Sequence, residues 1–255
     1  MSNKVLLNTV GLSKDFGGVK ALRELDIEVR KGLIQAVIGP NGAGKTTLFN
    51  VISGVIEPTG GSVFFQGEEI TDLPTHMIAD RGLTRTFQNL QLFTDMTVLE
   101  NVMVGMHRIS KGGFFASAFK TPWVLAEERR IREESTECLR FVGMEEHSAT
   151  VAGSLPFGNQ RILELARGLA SRPELLMLDE PAAGLNTRET QDLAQLIIRI
   201  KDSGVTVLLV EHDMELVMSI SDHVTVIDQG HKIAEGDPDS IRNDENVLKA
   251  YLGEE

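Results

Sequence analysis

The residues with the most specific chemistry are the eight from Gly39 to Thr46, which fit the pattern G-x-x-x-x-G-K-[ST] without a gap. They follow an apolar, strand-like run over 33–38 and precede a helix-forming stretch over 47–53. In this arrangement glycine backbone N–H groups and a helix N-terminus bind phosphate, the lysine reaches the β- and γ-phosphates, and the hydroxyl holds Mg²⁺. The alternative is that these residues form a glycine-rich turn by chance. That alternative does not explain why a predicted strand precedes the motif and a predicted helix follows it. The predicted nucleotide ligands are Gly39, Pro40, Asn41, Gly42, Ala43, Gly44, Lys45, Thr46 and Thr47.

Two other apolar runs end in residues that could act on a nucleotide. Leu175–Leu178 is followed by Asp179 and Glu180, and the run 205–210 is followed by His212. Because α/β sheets bind ligands at the carboxyl ends of their strands, these side chains are expected near the glycine-rich loop. Asp179 is predicted to hold Mg²⁺ with Thr46, Glu180 to orient or deprotonate the attacking water, and His212 to sense the γ-phosphate. Alone, an acidic strand end is more often a solvent-facing surface.

The elements that must position these residues fall into three stretches. The alternation of Leu25, Ile27 and Val29 with charged residues predicts one half-exposed strand, and with Val63–Phe65 it indicates an early antiparallel β layer. Thr97 to Glu100 is a capping-box pattern that opens a predicted helical lobe. The last third returns to buried strands and helices. The sequence predicts an α/β P-loop NTPase (RecA-like) core over 1–91 and 173–255, with an antiparallel β layer and an inserted helical lobe over 92–172.

Composition excludes several classes of function. The chain has 255 residues, 25 Lys and Arg against 37 Asp and Glu, and a formal charge of −12. Such an acidic chain is a poor nucleic-acid binder, because phosphate neutralisation needs clustered basic residues. The single cysteine excludes an intramolecular disulfide. No run approaches the ~20 apolar residues that span a bilayer, and no signal peptide is evident, so any membrane role would need a protein partner.

The order of these motifs resembles the ATP-binding subunit of an ABC transporter over essentially the full length. Phe16 matches the aromatic residue that stacks on adenine, and Gln88 matches the Q-loop glutamine that links Mg²⁺ and water to the membrane subunit. Residues 155–161 occupy the signature position, and 181–186 match the D-loop. The resemblance implies ATP and Mg²⁺ as ligands, with Lys45, Gln88, Glu180 and His212 as catalytic residues and Thr46, Gln88 and Asp179 at the metal. The nucleotide on the opposite subunit would be contacted by Leu155, Gly158, Asn159 and Gln160.

Two motifs depart from the family pattern. In the signature, Pro156 replaces the usual serine and has neither a hydroxyl nor an N–H, Phe157 replaces the first glycine, and Asn159 replaces the glutamine. In the D-loop, Asn186 replaces the aspartate. Both look like variants in importers of branched-chain amino acids, as do the stretch 211–222, the insertion 112–123 and the ending 250–255. This resemblance implies an ATPase at the cytoplasmic face of the inner membrane. Its partners would be a second ATP-binding subunit, identical or related, two transmembrane permeases and, indirectly, a periplasmic or extracellular substrate-binding protein.

Two alternatives remain open from the sequence. A non-transport ABC ATPase would share the motifs, although the chain has neither the sustained heptads of the DNA-repair type nor a second cassette of the translation type. A regulatory nucleotide-binding subunit with a degenerate composite site is suggested by Pro156 and Asn186.

Overall fold

The computed structural model describes residues 4–86, 90–109 and 122–252. The chain divides into two compact units, one formed by Met1–Arg85 with Glu174–Glu255 and the other by Thr86–Pro173. The sequence predicts these boundaries after residues 91 and 172, whereas the second compact unit spans Thr86–Pro173. No helix among the described residues is both long and apolar enough to cross a membrane.

The strands of the described chain all belong to the first unit, and the helices are shared between the two units. The strands are β1 (Val5–Phe16), β2 (Val19–Leu25), β3 (Glu28–Arg30), β4 (Ile34–Ile38), β5 (Gly60–Phe65), β6 (Glu68–Glu69), β7 (Leu83–Arg85), β8 (Leu175–Asp179), β9 (Thr206–Val210), β10 (His223–Asp228) and β11 (His231–Gly236). The helices are α1 (Lys45–Ile52), α2 (Thr75–Asp80), α3 (Val98–Gly105), α4 (Pro122–Val142), α5 (Phe157–Ala170), α6 (Thr187–Asp202), α7 (Met214–Ile220), α8 (Pro238–Arg242) and α9 (Glu245–Leu252).

A five-stranded antiparallel sheet forms the predicted β layer. Its order is β2-β1-β5-β6, with β3 also paired to β1. The single strand predicted over 25–30 is wrong: β2 ends at Leu25 and β3 begins at Glu28. The predicted burial alternation holds, but the Thr9 hydroxyl donates to Leu25 O at 2.7 Å and accepts from Ile27 N at 3.0 Å. These side-chain hydrogen bonds bridge the break between the two strands.

A six-stranded sheet carries the sequence motifs at the carboxyl ends of its strands. Its order is β11-β10-β4-β9-β8-β7, with every pair parallel except β10 with β11. All residues of β4, β8 and β9 are buried, as expected for central strands of a parallel sheet. The register places Val37 and Asp179 beside Val210. The carboxyl ends of β4, β9 and β8 therefore lie side by side.

The described part of the second unit is helical. The predicted capping box is present, because the Thr97 hydroxyl accepts from Glu100 N while the Glu100 carboxylate accepts from Thr97 N. The buried Asn101 side chain donates to Phe93 O and Thr97 O, and its oxygen accepts from Phe93 N. These bonds satisfy loop groups before α3. Most of the insertion noted from the sequence, residues 112–121, lies outside the described residues, while Trp123 is exposed on α4.

Candidate nucleotide-binding and catalytic site

The glycine-rich loop joins the end of β4 to the start of α1. Gly39 has φ of 155° and Gly44 has φ of 107°. A Cβ atom on Gly39 would lie 2.0 Å from Ile227 O, and one on Gly44 would lie 2.5 Å from Ala21 O. Neither position can accept a side chain, because the neighbouring atoms belong to the backbone. The two glycines therefore let the loop pass close under β2 and β10 while it turns into the helix.

The loop has the donors expected of a phosphate site. The N–H groups of Asn41, Gly42 and Gly44 have no hydrogen-bond partner among the described residues. Lys45 is the first residue of α1, and its ammonium donates to Gly39 O at 2.6 Å and Pro40 O at 2.9 Å. Burial lowers the pKa of Lys45, and the nearby Glu180 carboxylate opposes this shift. An anion in the loop would satisfy the free N–H groups and offset the desolvation of the ammonium.

The tip of β8 presents the two predicted carboxylates in different settings. Asp179 is buried at the end of the strand, whereas Glu180 is partly exposed. Glu180 has φ of 48°, a left-handed conformation that costs a non-glycine residue energy and is concentrated at functional sites. Its N–H donates to Val210 O at 2.9 Å, and its C=O accepts from Ala183 N at 3.1 Å. The backbone therefore turns sharply after Glu180.

His212 is beside Glu180, as the adjacent strand tips predict. Its Nδ1 lies 3.8 Å from Glu180 Oε1, and 62% of the side chain is exposed. The preceding residue, Glu211, has a buried carboxylate that accepts from Ala182 N at 2.8 Å and His212 N at 3.1 Å. Burial raises the pKa of Glu211, and the hydrogen bonds from these backbone donors partly oppose this rise. The sequence analysis assigned no role to this carboxylate.

Arg85 is a second residue that the sequence analysis missed. Its guanidinium donates to Asp179 Oδ2 at 2.7 Å, Asn50 Oδ1 at 2.7 Å and Ser53 Oγ at 3.0 Å. Both side chains of the Arg85–Asp179 ion pair are almost fully buried. Arg85 therefore ties the tip of β8 to α1. The available signal was an arginine three residues before Gln88, but nothing in that spacing names its partners.

The donor set suits Mg²⁺ better than a metal with an all-protein cage. Among the described residues, no group of three or more His, Cys, Asp and Glu side chains could hold a metal ion. Mg²⁺ commonly takes one or two protein oxygens and completes its shell with water and substrate phosphates. Thr46, exposed at the start of α1, and Asp179 at the tip of β8 supply such oxygens.

Comparison with known proteins identifies the family of the chain. The family profile described as "ABC transporter" matches residues 22–183. The high-affinity branched-chain amino acid transport ATP-binding protein BraF of Pseudomonas aeruginosa is 49% identical over 99% of both chains. The chain belongs to the ABC transporter family. Its ATP-binding relatives also include LivG of Escherichia coli, at 44% identity over 98% of both chains.

Further comparisons cover the C-terminus and the fold. The profile described as "Branched-chain amino acid ATP-binding cassette transporter" matches residues 231–255. The ADP conformation of MJ1267, an ATP-binding cassette of an ABC transporter, superposes with a TM-score of 0.85 and 33% identity, covering 98% of this chain and 100% of that one. These matches confirm the predicted α/β fold. They also favour the interpretation as an importer ATP-binding subunit over a non-transport ATPase or a regulatory subunit.

The signature segment of this ABC protein forms the start of α5. Pro156 is the N-cap, and no side chain caps the helix. Leu155 is buried, and its C=O accepts from Gln160 Nε2 at 2.9 Å. Leu155 can therefore offer a ligand little beyond its backbone, and the Gln160 amide is already engaged. The N–H groups of Phe157, Gly158 and Asn159 open the helix without a partner among the described residues.

Asn186, the departure in the D-loop, has a structural role. Its side-chain oxygen accepts from Arg188 N at 3.0 Å and Glu189 N at 3.1 Å, and Glu189 closes a capping box. Asn and Asp are about equally good N-caps. The replacement of aspartate by asparagine therefore preserves the start of α6.

The remaining family positions are Phe16 and Gln88. Phe16 ends β1 and is 46% exposed, so it is not a core aromatic. Lys14 Nζ lies 5.1 Å from the centre of its ring. Gln88 lies outside the described residues, so its predicted contact with metal and water stays a prediction.

Proposed function

We propose that this chain is the ATP-hydrolysing subunit of an importer for branched-chain amino acids. The observation that carries this proposal is full-length similarity to two named branched-chain amino acid transport ATP-binding proteins. The match of the last 25 residues to the branched-chain cassette profile supports the same substrate class.

The geometry supports a division of roles in the first unit. The loop N–H groups and Lys45 would bind the phosphates of ATP, and Phe16 would stack on adenine. Glu180 would orient or deprotonate the attacking water, and His212, 3.8 Å from its carboxylate, would contact the γ-phosphate. Mg²⁺, held by Thr46, Asp179 and Gln88, would supply positive charge against the negative charge that develops on the phosphates.

The helix start at α5 supports a contact with nucleotide on a facing subunit. Its unpartnered N–H groups and positive helix end favour an anion, and Asn159 adds an amide. ATP bound between two such subunits would join them, because its γ-phosphate needs donors from both. Hydrolysis would remove that bridge and allow the subunits to separate, a ligand-driven shift between two states.

The proposed partners follow from the family. They are a second ATP-binding subunit, either identical or related, two transmembrane permeases and, through them, a substrate-binding protein. The chain would be peripheral at the cytoplasmic face of the membrane, held by its permeases. The permeases are proposed to contact the segment that carries Gln88, as the family resemblance implies.

Co-expression with the permeases of the same gene neighbourhood tests this proposal. The chain should co-purify with them, and ATP hydrolysis by the reconstituted complex should rise when the binding protein carries leucine, isoleucine or valine. The control is the binding protein loaded with a polar amino acid. An ATPase rate that is indifferent to the loaded binding protein would contradict the substrate assignment.

A further inference from the structure

The side chain of Glu211 connects two loops that leave neighbouring strand tips. Glu211 directly follows β9, and 1% of its side chain is exposed. One carboxylate oxygen, Oε1, accepts from Ala182 N at 2.8 Å, in the turn after β8. The other, Oε2, accepts from His212 N at 3.1 Å and, more weakly, from Asp213 N at 3.4 Å. All three donors are backbone groups, so the hydrogen bonds of the carboxylate hold main chain. The His212 ring is farther away, with its Nδ1 4.0 Å from Glu211 Oε2.

The two loops carry the residues proposed to act on ATP. Ala182 lies two residues after Glu180, inside the turn that the positive φ of Glu180 begins. His212 follows Glu211 directly, and its ring faces the Glu180 carboxylate. A shift of either loop would change the separation of the Glu180 and His212 side chains. The Glu211 carboxylate is a direct link, outside the β8–β9 ladder, between these loops.

We infer that Glu211 is a positioning residue for ATP hydrolysis, holding the loop of Glu180 and the loop of His212 in one arrangement. This inference rests on the proposed ATPase function and adds a residue to its site. Glu211 does not touch the nucleotide in this account. It acts through the backbone of Ala182 and His212.

The position requires a carboxylate rather than any polar group of the same size. A carboxylate has two accepting oxygens, whereas an amide has one oxygen and one NH₂ donor. In Glu211→Gln an NH₂ group would replace one of the two accepting oxygens. That donor would then face either the Ala182 N–H or the N–H groups of His212 and Asp213. Because hydrogen bonds to a charged acceptor are stronger than neutral ones, the substitution also weakens the bonds that remain.

The test compares Glu211→Gln with Glu215→Gln in the full-length chain, alone and assembled with its permeases. Glu215 is an exposed glutamate four residues further on, in the first turn of α7, and serves as the matched control. The measurements are the Kd for mant-ATP, the steady-state kcat and KM for ATP, and the melting temperature. We expect Glu211→Gln to lower kcat at least tenfold while Kd stays within twofold, and Glu215→Gln to match the parent.

The split between kcat and Kd separates positioning from a purely structural role, because partial unfolding would weaken nucleotide binding as well. A kcat for Glu211→Gln within twofold of the parent would overturn the inference while leaving the ATPase assignment intact. A parent complex without ATPase activity would instead refute the proposed function.

Amide exchange of the parent gives an independent test should Glu211→Gln fail to fold. Among the described residues, Ala182 N has no acceptor but Glu211, so an NMR measurement at Ala182 reports this bond. We expect slow exchange at Ala182. Exchange at the rate of an unstructured peptide would overturn the inference.

Discussion

Replacement of Arg85 by methionine would remove the only cation paired with Asp179 in the described structure. The Arg85 and Asp179 side chains are 6% and 4% exposed, and their charged atoms are 2.7 Å apart. Methionine keeps the apolar part of the side chain over the Phe49 ring, near which the guanidinium lies. The change therefore isolates the loss of charge and hydrogen bonds from the loss of packing.

Arg85→Met is expected to lower the free energy of unfolding strongly, because Asp179 would stay buried without its partner. Removing one member of a buried ion pair typically destabilises a protein by about 3–5 kcal/mol. Asn50 and Ser53 would lose a donor too, although Ser53 keeps its own bond to Phe49 O at 2.7 Å. The total for Arg85→Met is therefore expected near the upper end of that range.

The assay is urea unfolding of the full chain without nucleotide, with Lys31→Met as the control. Lys31 pairs with Glu174 at the same distance, 2.7 Å, but both side chains are more than 40% exposed. Exposed pairs contribute about 0–1 kcal/mol. The double variant Arg85→Met/Asp179→Leu should regain much of the loss, because it leaves no unpaired charge. Equal destabilisation by Arg85→Met and Lys31→Met would refute the burial argument.

Three further predictions concern the nucleotide, the dimer and the single thiol. Lys45→Ala should weaken mant-ATP binding at least tenfold, and an unchanged Kd would contradict the phosphate loop. Pro156→Ser, made in a Glu180→Gln background, restores the hydroxyl that in the resembled family donates to the γ-phosphate on the facing subunit, so it should increase the ATP-bound dimer seen by size-exclusion chromatography. A tight dimer that already forms with Pro156 would contradict the expectation that loss of this hydroxyl weakens the signature. Burial raises the pKa of Cys138 to about 12 from 9.0. At pH 8 its thiolate is then about 10³-fold scarcer than in unfolded chain, so iodoacetamide should react correspondingly slowly. Since the folded chain keeps this proton longer, stability should also fall as pH rises from 9 towards 12.

The sequence is most informative where chemistry and local geometry coincide. The phosphate loop needs glycines at fixed places because backbone atoms lie 2.0 Å and 2.5 Å from where a Cβ would stand on Gly39 and Gly44. The neighbouring strand tips follow from three apolar runs, since wholly buried strands belong in the centre of a parallel sheet. From such patterns alone, Glu180 and His212 are predicted to lie close together.

Contacts between distant residues could not be predicted in this way. Arg85 and Asp179 are 94 residues apart, and Glu211 and Ala182 are 29 apart. Arginine, aspartate and glutamate are common at exposed positions. One sequence therefore shows neither that these side chains are buried nor which residues they contact. The break between strands after Leu25 could not be predicted for a similar reason. The alternation of apolar and charged residues indicates which face is buried but not which backbone groups pair. In that case the Thr9 hydroxyl, 16 residues away, bonds Leu25 O.

Leucine uptake by the reconstituted transporter shows whether ATP hydrolysis by this chain drives import. Proteoliposomes with the permeases, the substrate-binding protein and this chain would be compared with liposomes that contain Glu180→Gln. We expect ATP-dependent leucine uptake with the parent, and neither uptake nor steady hydrolysis with Glu180→Gln, although that variant still binds ATP. Uptake and hydrolysis near the parent rate with Glu180→Gln would contradict the role of this chain as the ATPase that drives import.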